Sequence, residues 1–259
     1  MAIITLTSDC GLKDHYIGSV KGAILSLLPD VTIVDITHDI PTFDIEPASY
    51  VIYNCYQNFP KGTIHIVAVN TEASIETPHI VMLYNGHYFI GADNGMFSLI
   101  VKGKPEKIIE LNISQDSDYF TFSMRDVFVK AASLIVKGEK LEMLGFERNS
   151  LNEMIRLKPI EELNAIKGSV IYIDKYENVI TNITKNLFRK IGKNRKFVIS
   201  FRGGYEIDII NSAYKDADAG EKLALFGSSG FLEIAINMGN ASGLLNLKLK
   251  DSVRIDFDE

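Results

Sequence analysis

Four polar clusters in this 259-residue chain combine residue types that can do chemistry. Ser8-Asp9-Cys10-Gly11 breaks an apolar run, Ile3 to Thr7, and sets a carboxylate and a thiol at its end. A carboxylate there can accept hydrogen bonds from both hydroxyls of a ribose; the alternative is that Asp9 caps the helix that follows. Asp35-Ile36-Thr37-His38-Asp39 offers either a titrating, catalytic pair or a hydrogen-bond hub at a strand end. Ala92-Asp93-Asn94-Gly95 is a tight turn first and a ligand contact second. Asp174-Lys175-Tyr176-Glu177-Asn178, followed by Thr181-Asn182, gathers a carboxylate, an aromatic ring and an amide. That set can read a planar base or an amino acid end, or simply form a turn and an N-cap.

The elements that must position these groups follow from periodicity. Up to about residue 155 the pattern alternates strands, at 2–7, 31–36, 63–69, 79–84 and 87–91, with helices near 14–28, 46–58 and 125–137. The last of these helices ends on Lys137-Gly138, a C-terminal signal. In such an α/β domain the turn holding Asp9 lies at the carboxyl end of the first strand, where open sheets bind ligands. Beyond Leu157-Lys158-Pro159 short β-rich runs take over, at 168–174, 196–201, 205–210, 222–226, 231–236 and 252–257. The expectation is an α/β N-terminal domain (1–155), a linker (156–166) and an all-β, barrel-like C-terminal domain (167–259), with a site between domains.

Composition narrows the class. A 46% hydrophobic content supports ordinary globular cores, and a net charge of −6 with scattered Lys and Arg leaves no basic stripe for nucleic acid. No apolar run has membrane-spanning length, and the start of the chain has no charged-then-apolar leader, so a cytoplasmic location is expected. Cys10 and Cys55 suit reduced thiols rather than a disulfide framework. No metal or cofactor is expected, because no Cys/His or carboxylate set has ligand spacing.

Taken in order, the motifs carry more than each does alone. Ser8-Asp9-Cys10-Gly11-Leu12-Lys13-Asp14-His15-Tyr16-Ile17-Gly18 with Lys21-Gly22, Asp35-Ile36-Thr37-His38 with Glu46-Pro47, Asp93-Asn94-Gly95, and Thr121-Phe122-Ser123-Met124-Arg125-Asp126 succeed one another. Asp174 to Asn182, Gly220-Glu221, Ser228-Ser229-Gly230-Phe231-Leu232-Glu233-Ile234-Ala235 and Asn240-Ala241 complete the series. Over nearly its whole length the chain resembles the S-adenosylmethionine hydroxide adenosyltransferases, the family that also holds the fluorinase and chlorinase enzymes. The resemblance implies an α/β domain, a β-barrel and a homotrimer whose ligand lies at a subunit interface. It also implies displacement at the ribose C5′ with methionine leaving. Position by position, Asp9 would hold the ribose hydroxyls, Phe43 would flank the ribose and sulfonium, and Phe122 would line the reacting centre. Asp174 and Asn178 would bind the methionine amino and carboxylate region beside Tyr176 and Ser228, and Tyr214 would face the adenine.

The chain departs from the family at the residues that activate water. The hydrolytic members use an aspartate, an arginine and a histidine, and those positions hold Asn70, Thr77 and Ser123. Asn70 and Ser123 can orient a water but not deprotonate it; Glu72, Glu76 or His79 would replace the lost groups if the loop folds to allow it. Met124 occupies the hydroxyl position of the halide pocket, which places halogenation, chloride included, below hydrolysis. The expectation is slow hydrolysis of S-adenosylmethionine to adenosine and methionine. The alternatives are a non-catalytic binder of S-adenosylmethionine or adenosine, or a trimeric scaffold without ligand.

Overall fold

The computed structural model describes residues 1–115, 120–155 and 157–258, and the chain divides into two compact units, Met1–Ile155 and Arg156–Glu259. In the first unit the order is β1 (Ile3–Ser8), α1 (Tyr16–Leu27), β2 (Thr32–Thr37), α2 (Ile45–Cys55), β3 (Ile64–Ala68), β4 (His79–Tyr84) and β5 (His87–Ala92). α3 (Met96–Ile100), β6 (Lys107–Leu111), α4 (Val129–Val136) and β7 (Gly145–Glu147) follow. The seven-stranded sheet has the order β2-β1-β3-β5-β4-β6-β7. β1 pairs in parallel with β2 and β3, and β3 with β5, while β4, β6 and β7 pair antiparallel.

Burial explains the composition of the parallel centre. β3 is buried at every residue, and β1 at all but Ile3, so both read as nearly unbroken β-branched and apolar runs. Gly91 is required where β5 passes β3, since a Cβ there would meet the Val67 carbonyl oxygen at 2.6 Å. One apolar cluster, built around Val20, Ile24, Ile66 and Phe128, includes α1 and α4; a second, around Ile52, Met82 and Phe97, includes α2 and α3. Asp44 begins α2 by accepting a hydrogen bond from the Glu46 amide.

The second unit contains β8 (Ile160–Glu161), β9 (Ala165–Ile173), β10 (Val179–Thr184), α5 (Lys185–Gly192), β11 (Phe197–Phe201) and β12 (Tyr205–Ile207). β13 (Lys222–Phe226), β14 (Phe231–Ile236), α6 (Ala241–Leu245) and β15 (Ser252–Phe257) complete it. Its antiparallel strands run β12-β11-β15-β9-β10-β14-β13, with β8 on β9, and curl nearly into a barrel around Val170, Ile199, Ile234 and Ile255. The expected α/β and barrel-like halves are present, the second with two short helices attached.

Several boundaries differ from the sequence reading. Residues 160–166, expected within a linker, begin a hairpin in which Ile160 pairs with Lys167; Arg156 lies outside the described residues. The expected helix at 125–137 is a π-helical turn, Met124–Phe128, running into α4. The segment 179–184, where no strand is expected, is β10, and its last residue, Thr184, accepts from the Leu187 amide to cap α5. No helix among the described residues is long and apolar enough to cross a membrane.

Candidate functional site

The strand order creates a crevice. The chain leaves β1 for β2 on one side, and β3 lies on the other, so the carboxyl ends of β1 and β3 flank a topological switch point. Asp9 directly follows β1, and Asn70 lies two residues past β3; the register pairs Ser8 with Ala68, which sets the two loops side by side. Asn94, just past β5, joins them: its side-chain amide donates to the carbonyls of Val69 and Asn70, at 3.1 Å each. Asn70 is held at φ +49°, a left-handed conformation that asparagine tolerates better than most residues.

Asp9 is half-buried, and its Oδ2 accepts a hydrogen bond from the Phe43 amide at 2.8 Å. The loop after β2 is thereby tied to the loop after β1. Two further contacts reinforce the tie: the Gly11 amide donates to the His38 carbonyl at 2.9 Å, and Ser8 Oγ, itself 3.1 Å from Cys10 Sγ, lies 2.8 Å from His38 Nδ1. His38 Nε2 is 3.2 Å from Asp35 Oδ1, and Lys21 also binds Asp35. Burial pushes the Asp35 carboxyl up, but hydrogen bonds from Lys21 and His38 outweigh it and hold it below its ordinary value. His38 is thus the hub that joins the two loops. Phe43 itself is 69% exposed and sits at φ +65°, an uncommon conformation for a bulky residue.

Phe122 and Ser123 lie at the start of the π-helical turn. Phe122 is half-buried, edge-on to Tyr16 with ring centroids 5.3 Å apart, and the Arg125 guanidinium stands 5.0 Å from its centroid. Arg125 in turn makes a two-pronged contact with Asp126, which raises its already high pKa. Ser123 is buried. Single π turns inside helices recur at functional sites, where they re-aim side chains. Of the groups expected to replace the missing triad, Glu72 and Glu76 are exposed, and Glu76 accepts from Ser74 Oγ at 2.8 Å. His79 is half-buried at the start of β4, with Nε2 2.8 Å from the Thr71 carbonyl oxygen.

In the second unit a cleft of about 660 Å³ gathers Asp174, Tyr176, Asn178 and Tyr214 with Met238 and Asn240. Asp174 is first a turn-former: Oδ1 accepts from the amides of Tyr176 and Asn178, both at 2.9 Å, and Oδ2 from the Asn178 side chain at 3.2 Å. Tyr176 is 79% exposed. Ser228 is exposed in the turn between β13 and β14 and is not among the residues lining the cleft. Tyr214 donates its hydroxyl to Glu233 Oε1 at 2.6 Å. Glu233 is buried on β14, and burial together with nearby Asp174 outweighs the Tyr214 hydrogen bond to push its carboxyl pKa up. Burial and the same carboxylate drive the Tyr214 phenol above its usual range. In the sequence Glu233 is a lone carboxylate in the apolar run 231–236, within a family motif but without an assigned role.

Known proteins match over the same two units. Residues 4–145 match the model of the SAM hydroxide adenosyltransferase N-terminal domain, and residues 168–254 that of the C-terminal domain. A protein of Methanocaldococcus jannaschii named (R)-S-adenosyl-L-methionine hydrolase is 33% identical, over 98% of this chain and 96% of its own. A fluorinase of Nocardia brasiliensis is 25% identical over 98% of this chain and 96% of its own. A solved structure of an uncharacterised conserved protein from Thermotoga maritima superposes with a TM-score of 0.89 at 33% identity, covering 98% of this chain and 99% of that one. With both domain models matched in order and a relative of this identity along its length, the chain belongs to the SAM hydroxide adenosyltransferase family.

Proposed function

We propose that this protein cleaves S-adenosylmethionine to adenosine and methionine by displacement at the ribose C5′. The observation that carries the reading is the full-length similarity to (R)-S-adenosyl-L-methionine hydrolases, at 33% identity to one and 27% to another. Asp9, at the switch point, would take the ribose hydroxyls. Phe43 and Phe122 would flank the sulfonium and C5′. Asn178 and Asp174 would receive the amino acid end against Tyr176, and Tyr214 would face the adenine. Asn70 and Ser123 would orient the attacking water.

The half-sites of the two units are open: Phe43, Tyr176 and Met238 are 69%, 79% and 89% exposed. Aromatic and thioether groups so placed suit burial by ligand and by another copy of the chain. A homotrimer whose subunits complete one another's sites fits this exposure. The thiols of Cys10 and Cys55 are free, as suits a cytoplasmic protein.

A second reading, a binder without turnover, is favoured by one observation. Both positions expected to address the water, Asn70 and Ser123, are neutral. Prolonged incubation with S-adenosylmethionine at varied chloride, with chromatography and mass analysis of products, separates the readings. Enzyme-dependent adenosine and methionine support hydrolysis; 5′-chloro-adenosine would move the assignment to halide transfer, and intact substrate with measurable affinity would move it to the binder.

A further inference from the structure

We infer that His79 is the general base of this site, taking the proton from the water that attacks C5′; the inference rests on the hydrolytic reading above. The ring touches one residue from each of the two segments that carry the neutral positions. Its Nε2 lies 2.8 Å from the carbonyl oxygen of Thr71, the residue next to Asn70. A carbonyl only accepts, so the proton sits on Nε2 and the lone pair on Nδ1. Nδ1 has no hydrogen-bond partner among the described residues. On its other side the ring stands edge-on to Phe128, with centroids 4.8 Å apart at 85°, and Phe128 closes the π-helical turn that Ser123 opens. One ring is therefore fixed at once to the Asn70 loop and to the Ser123 turn.

His79 also lies two residues beyond Thr77, the position that lacks the expected arginine. Its competitors are less suited. Glu76 is exposed and its carboxylate is engaged by Ser74, while Glu72 is exposed on the same loop. Burial outweighs the Thr71 hydrogen bond and lowers the His79 pKa, so the imidazole is in its neutral, proton-accepting form at neutral pH.

The step balances. The water oxygen bonds to C5′ as the C5′–S bond breaks, and its electron pair leaves on the methionine sulfur. One water proton passes to His79 Nδ1 and on to solvent. The sulfonium substrate and water thus give adenosine, neutral methionine thioether and one proton.

The test is single-turnover cleavage and substrate affinity in wild type, His79→Gln and His79→Ala. Glutamine can still donate to the Thr71 carbonyl, so the loop keeps its anchor while the base is lost. The expected result is a rate reduced by about 100-fold or more in His79→Gln with affinity within about twofold, since a positioned base contributes about 10²- to 10⁴-fold. Partial recovery of His79→Ala by added imidazole is expected as well. A wild-type rate in His79→Gln, or a loss confined to affinity, overturns the assignment and leaves the hydrolytic reading standing. A wild type that binds S-adenosylmethionine and releases no adenosine overturns both.

Discussion

The hydroxyl of Tyr214 donates to Glu233 Oε1 at 2.6 Å, and the carboxylate that receives it is 7% exposed on an otherwise apolar strand. A buried carboxylate is costly unless it is hydrogen-bonded, so the pair holds the Tyr214 ring at the cleft wall. Tyr214→Phe and Glu233→Gln should each weaken adenosine binding by about tenfold, in line with about 1.5 kcal/mol for a hydrogen bond to a charged group. The double variant should bind no more weakly than the worse single one. Calorimetric titration of all four proteins checks this; additive losses would show that the two residues act apart.

Asp9 anchors the Phe43 amide and, on the proposed reading, accepts from the ribose; two substitutions separate these roles. Asp9→Ala removes the anchor of the Phe43 amide and the proposed ribose acceptor, and nucleoside affinity should fall by about 100-fold or more. Asp9→Asn keeps an oxygen for that amide but loses the charge, and an intermediate loss is expected. Equal affinity in wild type and Asp9→Ala would remove Asp9 from the ligand site.

Phe43 stores strain at an exposed position. Left-handed backbone costs a residue with a Cβ about 1–2 kcal/mol, and asparagine bears it better. Phe43→Asn should therefore raise the unfolding free energy by about 0.5–1 kcal/mol while S-adenosylmethionine affinity declines. Thermal unfolding and titration on one preparation read both. Lower stability with unchanged affinity would refute the assignment.

Acid should loosen the first unit through His65. Its Nδ1 is 2.7 Å from Thr5 Oγ1 and its Nε2 3.3 Å from His87 Nδ1, deep in the sheet. Burial, then the neighbouring His87, lowers its pKa from 6.5 to about 3. In that window the unfolded chain holds a proton that the native chain does not. Stability is thus fully present above the unfolded value and falls as pH drops through it toward the folded one, by at most about 1.4 kcal/mol per pH unit. Urea midpoints should be lower at about pH 5 than at about pH 7, with a shallower slope in His65→Gln.

Restoring charge offers a gain-of-function check. Asn70→Asp combined with Ser123→His should raise the hydrolysis rate if the surrounding pocket can use a base there. An unchanged rate would place the limit in the backbone of the 70–78 loop.

What the sequence made legible, and what it hid, divides along one physical line. The parallel strands were readable because burial on both faces leaves runs of Ile, Val and Leu, as in β3. β10 was hidden because its polar residues find partners distant in sequence. Thr181 Oγ1 donates to the Leu232 carbonyl, while the Asn182 side chain accepts from the Ser169 amide and donates to the Leu157 carbonyl. Without those partners, Thr and Asn in succession read as a turn. The same holds at the site. Asp9 is marked by its place after a strand and Asn70 by the family pattern, but the Glu233 support of Tyr214 and the Thr71 anchor of His79 exist only once the chain has folded.

The position of β1 between β2 and β3 has a consequence for how the site moves. Backbone amides of this internal, buried strand can exchange with solvent only when much of the unit opens, whereas the exposed residues 72–76 can open locally. Deuterium should therefore enter the 72–76 loop early and β1 last. The carboxylate of Asp9 would then be the still point to which the loop after β2 is moored.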